Sequence, residues 1–337
     1  MRYPEFVKKG DTIGVPAPSN GNYPDDTMRH LLAEKKFQQL GFQIVLSKHA
    51  NNSEKFVSAS AKDRAEELMQ LWEDQSISGL ISLAGGEFMT EILPFLNEHR
   101  MASAKPKFFQ GFSDNTILCH VLLTWLDTAS IYHYNFKYFA QKKWHESVKD
   151  SFACLTGKKL KFHSFKKYQK ERDKTAATDA GFDLTEPVCW NTARQEKQLA
   201  MQGRMIGGCI DVLLMFLGTK YDKTKAFLEK YKQDGFIWFL ESFDLTVPEM
   251  KRAMWQLKEN GWFAYAKGFV FGRPTVNETV NGLTYEDAVM EIIADLNVPV
   301  VFGADIGHKP PTIPVLVGAK AEIFVKNTKA SVSYTLN

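Results

Sequence analysis

The 337-residue sequence is poor in cysteine, and the few cysteines are far apart. No two of them have the C-x-x-C spacing of a zinc site or a redox motif, and they suggest no disulfide framework. The four are Cys119, Cys154, Cys189 and Cys209. We therefore predict reduced thiols in a reducing compartment and exclude a disulfide-built secreted scaffold.

The sequence also lacks a strong net charge and any long apolar run. Lys and Arg number 42 against 39 Asp and Glu, which leaves a net charge of +3, so nothing demands a nucleic acid polymer as partner. A lysine-rich run over residues 137–175 is interpreted as solvated surface, with a phosphate-bearing ligand as the alternative.

No window approaches the roughly 20 apolar residues that span a bilayer, and the amino terminus lacks the apolar core of a signal peptide. We expect a cytoplasmic protein without a membrane partner.

What the first half does contain is a regular alternation of short apolar runs and helical patterns. Strands are predicted within residues 11–20, 42–47, 77–86 and 105–112, and helices over 25–40, 60–73, 87–99 and 113–126, the third of them broken near Pro94. Such alternation predicts an α/β fold with a parallel sheet and right-handed crossovers.

The length favours two domains over one. We predict an amino-terminal α/β domain over residues 1–150, a connecting segment over 151–198, and a carboxy-terminal domain of mixed strands and helices over 199–337. The last strands are predicted to form a hairpin with its turn near Asn327.

Ser113 lies between the apolar run "KFFQGF" and the helical pattern "SDNTILCHVLLTWL". A serine at such a junction can be a nucleophile, since a sharp turn exposes its Oγ and helix amides favour developing negative charge. Serine is also a preferred N-cap, and the stretch by itself favours capping. The pattern is not G-x-S-x-G, because Asp114 and Asn115 follow the serine.

A serine nucleophile needs a base, and His308 is the histidine that stands out. It follows the apolar strand of "VPVVFGADIGHKPPTIP" in a loop stiffened by prolines, at a strand end where catalytic groups are commonly carried. His133, in an aromatic stretch, could form a binding wall but favours packing, and His120 reads as a core or edge residue. The remaining histidines are predicted on the surface: His30, His49, His99, His145 and His163.

Glu241 is the candidate for the third member of a triad, since it follows five apolar residues at the end of the strand "FIWFLES". Capping of the following segment is the alternative. The order Ser113, Glu241, His308 is that of α/β-hydrolases, but chain order does not discriminate between unrelated folds.

Six segments in the same order resemble the LD-carboxypeptidase and microcin C immunity family of serine peptidases. They are "GDTIGVPAPSN", "AKDRAEELMQLWEDQSISGLISLAGG", "PKFFQGFSDNT", "GRMIGGCIDVLLMFLGT", "FIWFLES" and "GADIGHKPPTIPVLVGAKAEI", and they span almost the whole chain.

The resemblance implies a Rossmann-like amino-terminal domain with the serine and a carboxy-terminal swivelling β/β/α domain with Glu241 and His308, with the site in the cleft between them. It also implies a homodimer, no metal and no organic cofactor. Three departures from the family are Cys209, where Asn is usual, the run from Glu87 to Met89, where small or polar residues are usual, and "IYHYNF", where a Gly-Pro segment is common. An altered substrate pocket is expected from them.

For the oxyanion we expect the backbone N–H of Asp114 and that of Gly86, because a glycine lets the backbone approach a substrate closely. A tight turn alone also explains Gly86. Glu87 and Trp190 are candidates for substrate contact, with Trp190 either stacked on a base or packed in the core.

Three functions are compared on this basis. The first is removal of a terminal D-Ala from a muropeptide tetrapeptide, and the second is cleavage of an amide bond in a toxic aminoacyl nucleotide. The third, a binding module without catalysis, is disfavoured by the complete triad. The long connecting segment favours the second over the first.

Overall fold

The computed structural model describes residues 1–23, 27–171 and 176–337 of the chain. These form two compact units, one of Met1–Lys159 with Asp173–Phe182 and the other of Leu160–Arg172 with Asp183–Asn337. Both are α/β units with parallel strands, as predicted. In the part described, no helix combines the length and the apolar character needed to cross a bilayer.

The first unit is a parallel sheet with helices between its strands. Its elements are β1 (Thr12–Val15), α1 (Thr27–Gln39), β2 (Gln43–Leu46), α2 (Ala61–Glu73), β3 (Ile77–Ile81), α3 (Glu98–Ser103), β4 (Phe108–Gly111), α4 (Thr116–Leu126), β5 (Ser130–Tyr132) and α5 (Glu146–Leu155). Within this unit the strand order is β5–β4–β3–β1–β2, and every pairing is parallel. Since β1 lies between β2 and β3, the order reverses there, and polar loops at the carboxyl ends beside this point are favourable ligand sites.

Local sequence explains where several helices begin. Ser60 caps α2 by accepting the backbone N–H of Asp63 on its side chain. In the second unit, Thr246 and Glu249 form a capping box at the start of helix α8 (Val247–Glu259). The bounds predicted for α2, residues 60–73, are close to the observed ones for this reason.

Helix α1 leaves some of its apolar residues exposed and buries a polar one. The apolar residues Met28 and Leu31 are 55% and 47% exposed. His30, assigned to the surface, is buried with Phe37, and its Nδ1 lies 2.7 Å from Asn22 Nδ2. The prediction for His30 is wrong because the buried partners of α1 are aromatic side chains from residues 136–152, whose position the sequence does not reveal. The predicted start of this helix, at residues 25 and 26, lies outside the described residues.

Two other segments can be compared with the prediction. The helix predicted over residues 87–99 with a break near Pro94 is a 3-10 helix over Met89–Phe95 followed by α3, so the break is confirmed. Pro94 lies inside the first, where it removes a backbone donor. The lysine-rich run, predicted as a connection, contains α5 and a 3-10 helix over Phe136–Ala140.

The second unit is built on a mixed sheet. Its elements are β6 (Lys161–His163), β7 (Lys167–Tyr168), β8 (Glu186–Pro187), β9 (Asn191–Thr192), β10 (Gln198–Cys209), α6 (Ile210–Leu213), α7 (Thr224–Lys230), β11 (Phe236–Glu241), α8, β12 (Ala266–Gly272), α9 (Tyr285–Ile293), β13 (Val300–Ala304), β14 (Val315–Val317), β15 (Lys320–Lys326) and β16 (Lys329–Thr335). Among the described residues the sheet order is β6–β16–β15–β10–β11–β12–β13–β9.

Strands β10 to β13 form its parallel centre, and antiparallel strands flank them on both sides. The predicted terminal hairpin is confirmed as β15 and β16, with Asn327 in the left-handed conformation at the turn.

Candidate active site

Ser113 forms the turn between β4 and the helical segment that ends in α4. Its φ is 65°, a left-handed backbone that is uncommon for a residue other than glycine. Its backbone N–H donates to the Tyr132 hydroxyl at 3.2 Å, and the residue is half-buried. Such strain concentrates at functional sites. The capping alternative is not supported, since α4 begins at Thr116 and its N-cap position is held by Asn115.

Two asparagines fix this turn. The Asn135 side-chain oxygen accepts the backbone N–H of Phe112 at 3.1 Å and the Asn115 amide at 3.2 Å. The Asn115 amide also donates to the Ala84 carbonyl at 2.9 Å, which ties the turn to the loop after β3. The sequence did not identify either asparagine as part of the site, although Asn115 lies only two positions after the serine.

The glycine loop after β3 reaches the Ser113 side chain through Gly85. A Cβ at Gly85 would lie 3.1 Å from Ser113 Cβ and 3.2 Å from its Oγ. Gly86 instead lies against the loop after β1, where a Cβ would be 2.2 Å from Ser19 Oγ. The N–H of Gly86 as an oxyanion donor stays a prediction, and the same loop presents Glu87 as an exposed residue.

The Asp114 side chain joins the loops that follow β1, β3 and β4. Its carboxylate accepts the Ser19 hydroxyl and, at 2.9 Å, the backbone N–H of Met89. Burial raises the pKa of Asp114, while these two donors and the charge of Arg64 oppose the rise. The backbone N–H of Asp114 as the second oxyanion donor also stays a prediction.

Glu241 and His308 form a hydrogen-bonded pair within the second unit. Glu241 ends β11, a strand with no exposed residue, and its side chain is completely buried. His308 Nδ1 lies 2.8 Å from Glu241 Oε2. Because an ionised carboxylate can only accept, Nδ1 carries the proton in this pair and Nε2 of a neutral ring is left to act as a base.

Two glycines make the space for the Glu241 carboxylate. A Cβ at Gly307, whose φ is 99°, would lie 2.7 Å from Glu241 Oε2. A Cβ at Gly272 would lie 3.0 Å from Glu241 Cβ and 2.4 Å from the Ile306 carbonyl oxygen. Side chains at either position would therefore displace the carboxylate from His308.

The surroundings of His308 favour its charged form. Burial lowers the pKa of the imidazole, but the charge and hydrogen bond of Glu241, with the charges of Asp211 and Asp244, raise it above the ordinary value. The Phe243 ring lies against the imidazole, with centroids 4.4 Å apart.

Asp211, which sequence reasoning missed, holds the segment that carries Phe243. Its two carboxylate oxygens accept the backbone N–H groups of Phe243, Asp244 and Leu245 at 3.0, 2.9 and 3.2 Å. It therefore acts on His308 both through its charge and through the position of the Phe243 ring.

Arg273 braces the loop that bears His308. Its guanidinium donates to the carbonyls of Lys309 and Pro311 at 2.6 and 2.7 Å, and it pairs with buried Asp305 at 2.6 Å. Arg204 is likewise engaged, with Asp234 and the Gly318 carbonyl. Both arginines therefore have structural partners.

Trp190 and Cys209, which the sequence also singled out, are both buried. Trp190 is completely buried, and its indole N–H donates to Asp305 at 3.0 Å, which favours packing over stacking on a base. Cys209 is the register partner of Glu241. Burial and the nearby carboxylates of Glu241 and Asp211 raise the pKa of its thiol well above the usual value, so it is held as a neutral neighbour of the pair.

No group of three or more His, Cys, Asp or Glu side chains within residues 1–23, 27–171 and 176–337 is arranged to hold a metal ion.

The sequence matches two family models that together cover most of the chain. Residues 13–133 match the LD-carboxypeptidase N-terminal domain and residues 202–323 the LD-carboxypeptidase C-terminal domain. The chain belongs to the LD-carboxypeptidase family of S66 peptidases, as the sequence resemblance predicted.

Relatives with different names match over nearly their full length. A probable murein peptide carboxypeptidase of Bacillus subtilis is 25% identical over 94% of this chain and 90% of its own. The microcin C7 self-immunity protein MccF of Escherichia coli is 24% identical over 96% and 93%. A solved structure of MccF in complex with aspartyl sulfamoyl adenosine superposes with a TM-score of 0.82, at 20% identity over 99% of each chain, which shows a common fold.

Proposed function

We propose that this chain is a serine carboxypeptidase or amidase that hydrolyses an amide bond in a small peptide such as a muropeptide tetrapeptide. The observation that carries the proposal is the Glu241–His308 pair, in which a buried carboxylate fixes the tautomer of the imidazole. The strained turn at Ser113 is the matching feature of the first unit.

In the proposed reaction Ser113 Oγ attacks the amide carbonyl while His308 Nε2 takes its proton. Glu241 stabilises the imidazolium that forms, and the backbone N–H groups of Asp114 and Gly86 stabilise the oxyanion. His308 then gives the proton to the leaving amine. A water molecule, deprotonated by the same imidazole, releases the acyl group from Ser113 and restores the starting state.

The function as an aminoacyl-nucleotide peptidase of the microcin C immunity type is the second candidate. It is supported by the full-length match to the self-immunity protein MccF, a structure of which holds aspartyl sulfamoyl adenosine. Both candidates use the same three residues, so they differ in substrate rather than mechanism. A homodimer in the cytoplasm is proposed for either. A binding module without catalysis is disfavoured, because it would not require the Glu241–His308 pair.

Covalent labelling tests the catalytic proposal. A fluorophosphonate is expected to label wild-type protein at Ser113, and the label is expected to be absent in His308→Ala and Ser113→Ala variants. His163→Ala, a change of an exposed histidine in the same unit, is the control and should label normally. Equal labelling of the His308→Ala and His163→Ala variants would remove His308 from the mechanism.

Mass spectrometry separates the two substrate classes. Wild-type protein is incubated with a muropeptide tetrapeptide and, separately, with an aminoacyl sulfamoyl adenosine. Loss of D-Ala from the first supports the carboxypeptidase function, and release of an amino acid from the second supports the immunity function. Labelled protein that cleaves neither substrate would contradict both.

A further inference from the structure

The second unit contains a pocket that the proposed reaction does not use. Its volume is about 340 Å³, and it is lined by Arg273 after β12, by Lys309 after His308, and by Tyr168, Asn191 and Thr279 among others. This size is at the lower end of what small-molecule sites require.

Arg273 contributes a mostly buried guanidinium to the lining. The residue is 5% exposed, and its terminal nitrogens are engaged with Asp305 and two loop carbonyls. The Nε–H is buried and has no hydrogen-bond partner among the described residues. The Tyr168 ring covers the guanidinium at 4.7 Å.

Lys309 contributes a charge that lacks a counter-ion. It is half-buried, and no hydrogen bond or ion pair of its ammonium group occurs within the described part of the chain. Burial lowers its pKa, as do the charges of Arg273 and Lys170, against the opposing charge of Glu171. An anion beside the ammonium group would relieve this unfavourable environment.

We propose that this pocket binds a small anion with a carboxylate or phosphate group, held beside Lys309 Nζ in the positive potential of Lys309 and Arg273. Tyr168 and Asn191, which also line the pocket, carry a hydroxyl and an amide that can donate further hydrogen bonds. Glu286 is the acidic residue of the lining, and because it is exposed, solvent screens its repulsion. The Lys309 backbone follows His308 directly, so a ligand in this pocket is bound next to the Glu241–His308 pair.

Isothermal titration calorimetry with sodium phosphate and with sodium acetate at low ionic strength tests the proposal. Wild-type protein is expected to bind at least one of these ions saturably, with a dissociation constant on the order of 1 mM. Lys309→Gln is expected to bind about tenfold more weakly, and Lys309→Arg to retain binding. Lys326→Gln, at the exposed last position of β15, is the matched control and should bind as wild type does.

Absence of saturable binding to both ions, or equal binding by Lys309→Gln and Lys326→Gln variants of native circular dichroism, would overturn the proposal. The calorimetry does not depend on turnover, so its result stands whether or not Ser113 is a nucleophile.

A kinetic arm then distinguishes the source of the anion. If it is the terminal carboxylate of a peptide substrate, Lys309→Gln raises KM for that peptide and leaves KM for its carboxy-terminal amide unchanged. If it is free phosphate, both KM values stay at the wild-type level while phosphate binding is weakened. Only the first result rests on the proposed peptidase function, and both agree with the anion site.

Discussion

Replacement of Glu241 by glutamine should change the protonation of His308 in a defined direction. The substitution keeps the volume of a side chain confined by Gly272 and Gly307 and removes only the negative charge. His308 stays buried, and burial lowers its pKa, while the charge of Glu241, the largest effect that opposes burial, is lost. We expect the pKa of His308 to be lower in Glu241→Gln than in wild type.

The cost in stability should depend on pH. A hydrogen bond to a charged group contributes about 1.5–3 kcal/mol. Because the pKa of His308 is raised in the folded protein, this contribution is fully present below the unfolded value near 6.5 and is lost as pH rises through the folded value. Glu241→Gln should therefore lower the free energy of unfolding by about 2 kcal/mol near pH 6 and by less near pH 9.

Two measurements check this reasoning. The His308 ring resonances are titrated by NMR in both proteins, with His163 as an exposed internal reference. Urea unfolding is followed at pH 6 and pH 9. A His308 pKa equal to or above that of wild type, or a stability loss that does not diminish with pH, would refute the role assigned to the charge of Glu241.

Three further substitutions probe the same geometry. Ser113→Gly should be more stable than Ser113→Ala by about 1 kcal/mol in urea unfolding, because only glycine removes the left-handed strain; equal stabilities would exclude that strain. Gly307→Ala should lower the free energy of unfolding by about 3 kcal/mol, since its Cβ meets Glu241, and a loss below about 1 kcal/mol would show that the carboxylate can move aside. Asp211→Asn should give His308 a pKa below wild type but above that of Glu241→Gln by NMR, and the reverse order would contradict the assignment.

The order of strands and helices could be predicted because local signals agree with the fold. The apolar run before Glu241 and the glycine after α1 mark real element ends. The buried face of α1 could not be predicted, because it depends on aromatic residues a hundred positions away. His30 is polar yet buried, since Asn22 provides a partner that no local pattern indicates.

Site residues that directly follow a strand could be predicted from the sequence. Site residues that act through long-range hydrogen bonds could not. Glu241 and His308 were expected as a pair, and the structure brings them together within one unit. Asp211 was missed, because its function lies in three backbone N–H groups more than thirty residues away. The proximity of Gly85 to the Ser113 side chain was not predicted, because two adjacent glycines are equivalent in sequence and differ only in what each one faces.

The absence of side chains at positions 272 and 307 has a practical consequence for interpreting other sequences of this family. The Glu241 carboxylate has space because these two positions are glycines, which have no side chain. A search for the serine, glutamate and histidine alone would therefore miss this requirement. A chain that retains those three but has a bulkier residue at either position is expected to hold its glutamate in another rotamer. The residues at these two positions therefore indicate whether a chain of the family has an intact acid–base pair, even before its substrate is known.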